Sequence, residues 1–191
     1  MSARHRRARQ AWFIAAFALV ALAVVLAWQH DWLPHMADGM HAHAPAGTAS
    51  STAVPAELPA ITLIDIKGNK IALQNLRGKV LVVNFWSTSC APCLKEMPLW
   101  AQTRQEFGPR GLEVIAVAMQ MDAPNYVIEF AQSRQLPFPV ALDITGEASR
   151  AFGGVQAIPT SFLISRDGHI ARKFIGMPSR ADLQSALRQL L

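Results

Sequence analysis

The sequence predicts a mixed α/β domain, with one central sheet flanked by helices, preceded by a single apolar segment of membrane-crossing length. Three observations support this. Apolar runs of strand length alternate with helical segments between residues 61 and 191. The chain closes on a hairpin pattern followed by an amphipathic helix. Near the other end, Ala11 to Trp28 is an unbroken run without a charged side chain.

At a rise of ~1.5 Å per residue that run reaches roughly 27 Å, close to a bilayer core of about 30 Å. Trp28 and Trp32 flank its end like interfacial anchors. The nearest small-x-small cleavage pattern, Ala42-His43-Ala44, lies well beyond the run, which favours an uncleaved anchor over a cleaved signal or a helix of the folded domain. Arg4, Arg6, Arg7 and Arg9 hold four of the 18 basic side chains, against 13 acidic ones, so the rest of the chain is nearly neutral. A basic cluster confined to the extreme N-terminus orients a membrane segment and does not form a phosphate-binding face; no nucleic-acid partner is expected. The expected organisation is a basic cytoplasmic tail (1–10), a transmembrane signal anchor (11–29), a flexible His/Met-rich tether (30–56) and a folded domain (57–191). In a bacterium this places the chain in the inner membrane as a single-pass protein, with the folded domain in the periplasm.

Within the folded domain, Ile61–Ile64 and Lys70–Leu73 flank the turn Lys67-Gly68-Asn69 and predict a hairpin. Val80 to Trp86 is a mostly apolar run, as expected of a central strand covered on both faces. A helix follows Cys90 to about Phe107, is stopped by Gly108-Pro109, and should kink at Pro98. Leu112 to Met119 reads as a second buried strand, Asn125 to Gln135 as a helix, and Val140 to Leu142 as a short strand. A short helix spans Glu147 to Phe152, ended by Gly153-Gly154. Ser161–Ile164 and His169–Ile175 bracket the Arg166-Asp167-Gly168 turn. Ser179 caps a last helix, Arg180 to Leu191, whose Leu183, Ala186, Leu187 and Leu190 form one apolar stripe.

The only two cysteines lie in Asn84-Phe85-Trp86-Ser87-Thr88-Ser89-Cys90-Ala91-Pro92-Cys93. Two are too few for a disulfide scaffold or an all-cysteine zinc site, leaving redox use. A Cys-x-x-Cys pair that follows a strand and opens a helix is a dithiol/disulfide switch. The helix N-terminus directs unpaired N–H groups and the positive end of its dipole at the first sulfur, stabilising the attacking thiolate. Cys90, at the helix start, is expected to attack, and Cys93, one turn in, to resolve the mixed disulfide. Pro92 fixes a backbone angle suited to the first turn. Neither Ala91 nor Pro92 is cationic, which argues against a strongly oxidising pair.

Glu96 lies three residues after Cys93. Turned inward, it would have a raised pKa and could take the Cys93 proton; turned outward, it is an ordinary helical Glu. Trp86 is either core or a wall of the sulfur pocket. Pro159 in Ile158-Pro159-Thr160 is either an ordinary trans strand start or a cis residue exposing the Ile158 backbone near Cys90, where a substrate chain could pair.

Residues ~57–191 resemble the thioredoxin fold, specifically its exported, membrane-tethered TlpA/ResA-like branch. The resemblance rests on Asn84-Phe85-Trp86, the Cys90–Cys93 motif, Lys95-Glu96-Met97-Pro98 and Phe152 to Thr160. The added strand–helix material between Leu112 and Leu142 also matches that branch. It implies a cis Pro159 opposite the active site, Glu96 as the acid near Cys93, and no cofactor beyond the Cys90–Cys93 disulfide. It further implies client proteins with cysteine pairs (apocytochrome c or copper-site proteins). Because cytosolic reductants cannot reach the exported side, a membrane thiol relay is the expected electron donor. Two departures stand out. Asn84 replaces the buried Asp of thioredoxin, and Ser89 replaces the aromatic before the first Cys.

His30, His35, Met36, Met40, His41 and His43 crowd the tether, and imidazole with thioether favours copper. A polar linker with incidental His and Met explains the same residues. The leading expectation is therefore a thiol–disulfide oxidoreductase acting as a reductant. The alternatives are a copper-binding module and a peroxiredoxin-like peroxidase, whose motif would need proline where Val83 stands.

Overall fold

The computed structural model describes residues 18–22, 25–26 and 57–191. The chain divides into two units, Met1–Gly47 and Thr48–Leu191. In the first, the described residues are helical, and Leu19, Val20, Leu22, Val25 and Leu26 are all exposed. Among the described residues no helix is long and apolar enough to cross a membrane. The expected anchor (11–29) lies mostly outside them. The basic tail and the His/Met tether, including His35, Met36, Met40, His41 and His43, lie wholly outside them.

The second unit begins with a small antiparallel hairpin, β1 (Thr62–Ile64) and β2 (Lys70–Ala72). Asp65 builds its turn by accepting the backbone N–H groups of Lys67 and Asn69 and the Asn69 amide. Those bonds hold its carboxyl below the ordinary range against the opposing effect of burial, which is the largest single influence. Leu73 does not continue β2. It opens a 3-10 helix, Leu73–Leu76, that buries its side chain completely.

The main sheet has five strands in the order β5-β4-β3-β6-β7. They are β3 (Val80–Trp86), β4 (Leu112–Ala118), β5 (Val140–Leu142), β6 (Thr160–Ile164) and β7 (Ile170–Ile175). β3 runs parallel to β4 and antiparallel to β6, and every one of its residues is buried. β4 and β5 are parallel, and β6 and β7 form the expected terminal hairpin. The helices are α1 (Ala91–Phe107), α2 (Pro124–Ser133), α3 (Glu147–Ala151) and α4 (Arg180–Leu190).

Side chains alternate along β3 and divide the core in two. Val82 and Trp86 join Cys93, Met97 and Trp100 of α1 and Leu183 and Leu187 of α4 on one face. Val83 and Phe85 join Phe152, Phe162 and Ile164 on the other. There the Phe85, Phe152 and Phe162 rings meet at centroid distances of 4.9–5.9 Å. Each buried ring contributes roughly 1.5–3 kcal/mol of transfer free energy. The same alternation points Asn84 toward α1, where the chemistry lies.

Several boundaries differ from expectation by a residue or two. α2 stops at Ser133, because Gln135 takes a left-handed φ of 49°. α1 ends at Phe107 as expected, and Gly108–Arg110 tightens into a 3-10 turn closed by Gly111 at φ 96°. α1 continues unbroken through Pro98.

Candidate active site

The central strand β3 ends at Trp86, and after the turn Ser87–Ser89 the chain reaches Cys90, from which α1 starts at Ala91. Cys90 is the N-cap of α1, in extended backbone conformation, and its Sγ accepts the Cys93 backbone N–H at 3.2 Å. Serine or aspartate usually fills this position, so here sulfur takes the part of the capping oxygen. Pro92 lies in the first turn, where its missing N–H leaves no orphan donor, and it is exposed.

Cys90 and Cys93 are joined in a disulfide with a Cα–Cα distance of 5.2 Å. Cys90 is half-buried while Cys93 is fully enclosed, so an incoming sulfur has access only to the first. The Ile158 carbonyl oxygen stands 3.8 Å from Cys90 Sγ. The Ile158–Pro159 peptide is cis. Pro159 is buried, its carbonyl accepts from Gly176 N–H, and the Thr160 hydroxyl donates to the Ala157 carbonyl at 2.7 Å. Thus the segment that leads into β6, distant in sequence, brings the Ile158 carbonyl against Cys90, with Pro159 and Thr160 following it.

Trp86 is fully buried, with its ring 5.2 Å from that of Phe130, in the same cluster as Cys93. It is a core residue, packed in the cluster that encloses the second sulfur. Glu96 is also fully buried, so the inward orientation holds. Burial pushes its carboxyl from 4.5 to about 7, against the contrary pull of the Trp100 indole and the Asn84 amide. The Asn84 amide donates to Glu96 Oε1 at 2.5 Å and to the Ser161 hydroxyl at 2.9 Å. Trp100 Nε1 and Glu96 Oε2 are both buried and do not meet in hydrogen-bond geometry. A carboxyl that exchanges protons near neutral pH, one helical turn from Cys93, is suited to general acid–base work on that thiol.

The sequence singled out Asn84 but not its partner Ser161, which sits directly opposite on β6. It also missed Asp122, whose carboxylate accepts the Ser87 hydroxyl and both the backbone N–H and hydroxyl of Thr88. Neither partnership has a local sequence signal, because each joins residues more than 30 positions apart. Val83, where a peroxidase motif would need proline, is buried in the opposite core. Among the described residues no group of His, Cys, Asp and Glu is arranged to hold a metal ion.

The redoxin family profile matches residues 53–190. The thiol-disulfide oxidoreductase ResA of Bacillus thuringiensis subsp. konkukian is 35% identical over 135 residues, covering 70% of this chain and 76% of that protein. Two crystal structures have the same fold. The thiol:disulfide interchange protein of Chlorobium tepidum superposes with a TM-score of 0.65 at 28% identity, over 73% of this chain and 98% of that one. StoA of Bacillus subtilis gives 0.58 at 28% identity, over 71% and 99%. Proteins of this kind work through a cysteine pair without an external cofactor and act on protein disulfides. An exchange-competent sulfur at a helix start, a shielded second sulfur and these relatives lead to one assignment: the chain belongs to the redoxin family, as a ResA-like thiol-disulfide oxidoreductase of thioredoxin fold.

Proposed function

We propose that the protein is a membrane-anchored reductant of client disulfides outside the cytoplasm, with Cys90 attacking and Cys93 resolving. The carrying observation is the position of Cys90 Sγ: half-exposed, capping α1 and accepting the Cys93 N–H. In the dithiol form that N–H and the helix dipole favour the Cys90 thiolate. The thiolate attacks one sulfur of the client disulfide, and the other client sulfur leaves as a thiolate. Glu96, as carboxylate, takes the Cys93 proton. Cys93 then attacks Cys90 Sγ and expels the remaining client sulfur. Two electrons pass to the client, and the Cys90–Cys93 disulfide returns. The Ile158 backbone beside Cys90 offers the client chain an edge to pair with.

The uncharged Ala91-Pro92 dipeptide supports the reducing direction, since no cation over-stabilises the thiolate. Electrons then have to be restored by a thiol relay in the membrane, and cytochrome c precursors or copper-site proteins are the favoured clients. Five exposed apolar side chains on the described helical residues of 18–26 support the anchor in a bacterial inner membrane. With Cys93→Ser, a client adduct should be trapped at Cys90. Adducts that form instead through Cys93 in Cys90→Ser would reverse the roles. Alkaline extraction should leave the full chain in the membrane; release of a product starting after Ala44 would replace the anchor with a cleaved signal.

A further inference from the structure

The turn that hands β3 over to α1 is held from outside by one carboxylate. Asp122 Oδ1 accepts the Ser87 hydroxyl at 3.0 Å and the Thr88 hydroxyl at 2.7 Å, and its Oδ2 accepts the Thr88 N–H at 2.7 Å. Ser87 Oγ, so fixed, lies 2.8 Å from Ser89 Oγ and accepts the Ser89 N–H at 3.2 Å. The Ser87 carbonyl accepts the Cys90 N–H at 3.2 Å. The loop carrying Asp122 is itself tied to β3, because Met119 N–H donates to the Trp86 carbonyl and Asp122 N–H to the Met119 carbonyl.

We infer that Asp122 is a positioning residue for thiol–disulfide exchange: it sets the Ser87–Ser89 turn that aims Cys90, and its charge disfavours the Cys90 thiolate. The first part follows from the bonding. Every backbone N–H of residues 88–90 is taken within this network, so among the described residues the Cys93 N–H is the one backbone donor bonded to Cys90 Sγ. The second part follows from charge. The disulfide is neutral and the reduced pair carries a thiolate, so a nearby carboxylate destabilises the reduced form and strengthens the pair as a reductant. The other charged groups on the adjoining turns of α1 are Lys95, exposed, and Glu96, buried behind Cys93. Asp122 acts from the loop after β4, through its bonds to Ser87 and Thr88.

The inference rests on Cys90 being the attacking sulfur, and one experiment separates the two. In the full chain, alkylation of the reduced protein by iodoacetamide is followed against pH, with mass spectrometry locating the label. The dithiol/disulfide ratio is measured in glutathione buffers. Asp122→Asn removes the charge while keeping the size and one acceptor oxygen. It should move the midpoint of Cys90 alkylation down by ~0.5 pH unit and shift the glutathione equilibrium about threefold toward the dithiol. Asp122→Ala should add a loss of at least about tenfold in the rate of reducing a peptide disulfide at matched thiolate fraction, because the turn loses three bonds. If the alanine variant fails to fold, the asparagine variant carries the test. Identical profiles and equilibria for Asp122→Asn and wild type, with the label on Cys90, would overturn the inference alone. Label on Cys93 in the wild type would overturn the sulfur assignment, and the inference with it.

Discussion

Glu96→Gln tests the buried carboxyl through stability, independently of catalysis. Burial lifts Glu96 from 4.5 to about 7, which corresponds to about 3 kcal/mol in favour of its protonated form. Below ~4.5 the carboxyl is protonated in both folded and unfolded chains. As the pH rises from there, the unfolded chain ionises first, so the folded state loses ground until its own carboxyl ionises near 7. Stability from this group is therefore complete at low pH and lost by about pH 8. Glutamine cannot ionise and should show no such decline. Urea unfolding of the oxidised protein at intervals from pH 4 to 8 measures it: the wild-type advantage over Glu96→Gln should fall by about 3 kcal/mol across that range. Parallel curves, with a constant difference between the two proteins, would refute the reasoning.

The other expectations concern neighbouring contacts. Asn84→Leu removes the donor that lowers Glu96, so the decline in stability, which still begins where the unfolded chain ionises, should run on to higher pH and become deeper; an unchanged upper end and depth would show that the Asn84 contact has no influence on Glu96. The Cys90–Cys93 couple, equilibrated in graded redox buffers, should have a midpoint below that of glutathione, whereas one near about −120 mV would identify an oxidant. Ser179 caps α4 by accepting the Asp182 N–H, so Ser179→Ala should cost about 1 kcal/mol in thermal or urea unfolding without altering exchange rates.

What the sequence made legible was local. The Cys-x-x-Cys spacing, the apolar run of Val80 to Trp86 and the Gly-Pro stop after Phe107 are signals within a few residues, and the structure places those elements within a residue or two. Ser179 reads as a cap for the same reason. Helical spacing fixes the face of Glu96 relative to Cys93 but not what covers that face; the buried surroundings that include Trp100 and the Asn84–Ser161 pair decide it. Asp122 was invisible because its loop approaches Ser87 and Thr88 only once β3 and β4 lie side by side. Leu73 looked like strand by apolar pattern, but burying its side chain under the sheet required the tighter 3-10 path.

The small hairpin that precedes the sheet also protects it. The Ile66 N–H donates to the Val140 carbonyl, and Asp65 bridges to Ala141, so the outer rim of β5 already has a partner. A strand rim with free N–H and C=O groups invites other chains to add on and aggregate. A version of the protein shortened to begin after Asn69 would uncover that rim, and such a fragment should self-associate even though both cysteines and the whole of α1 remain.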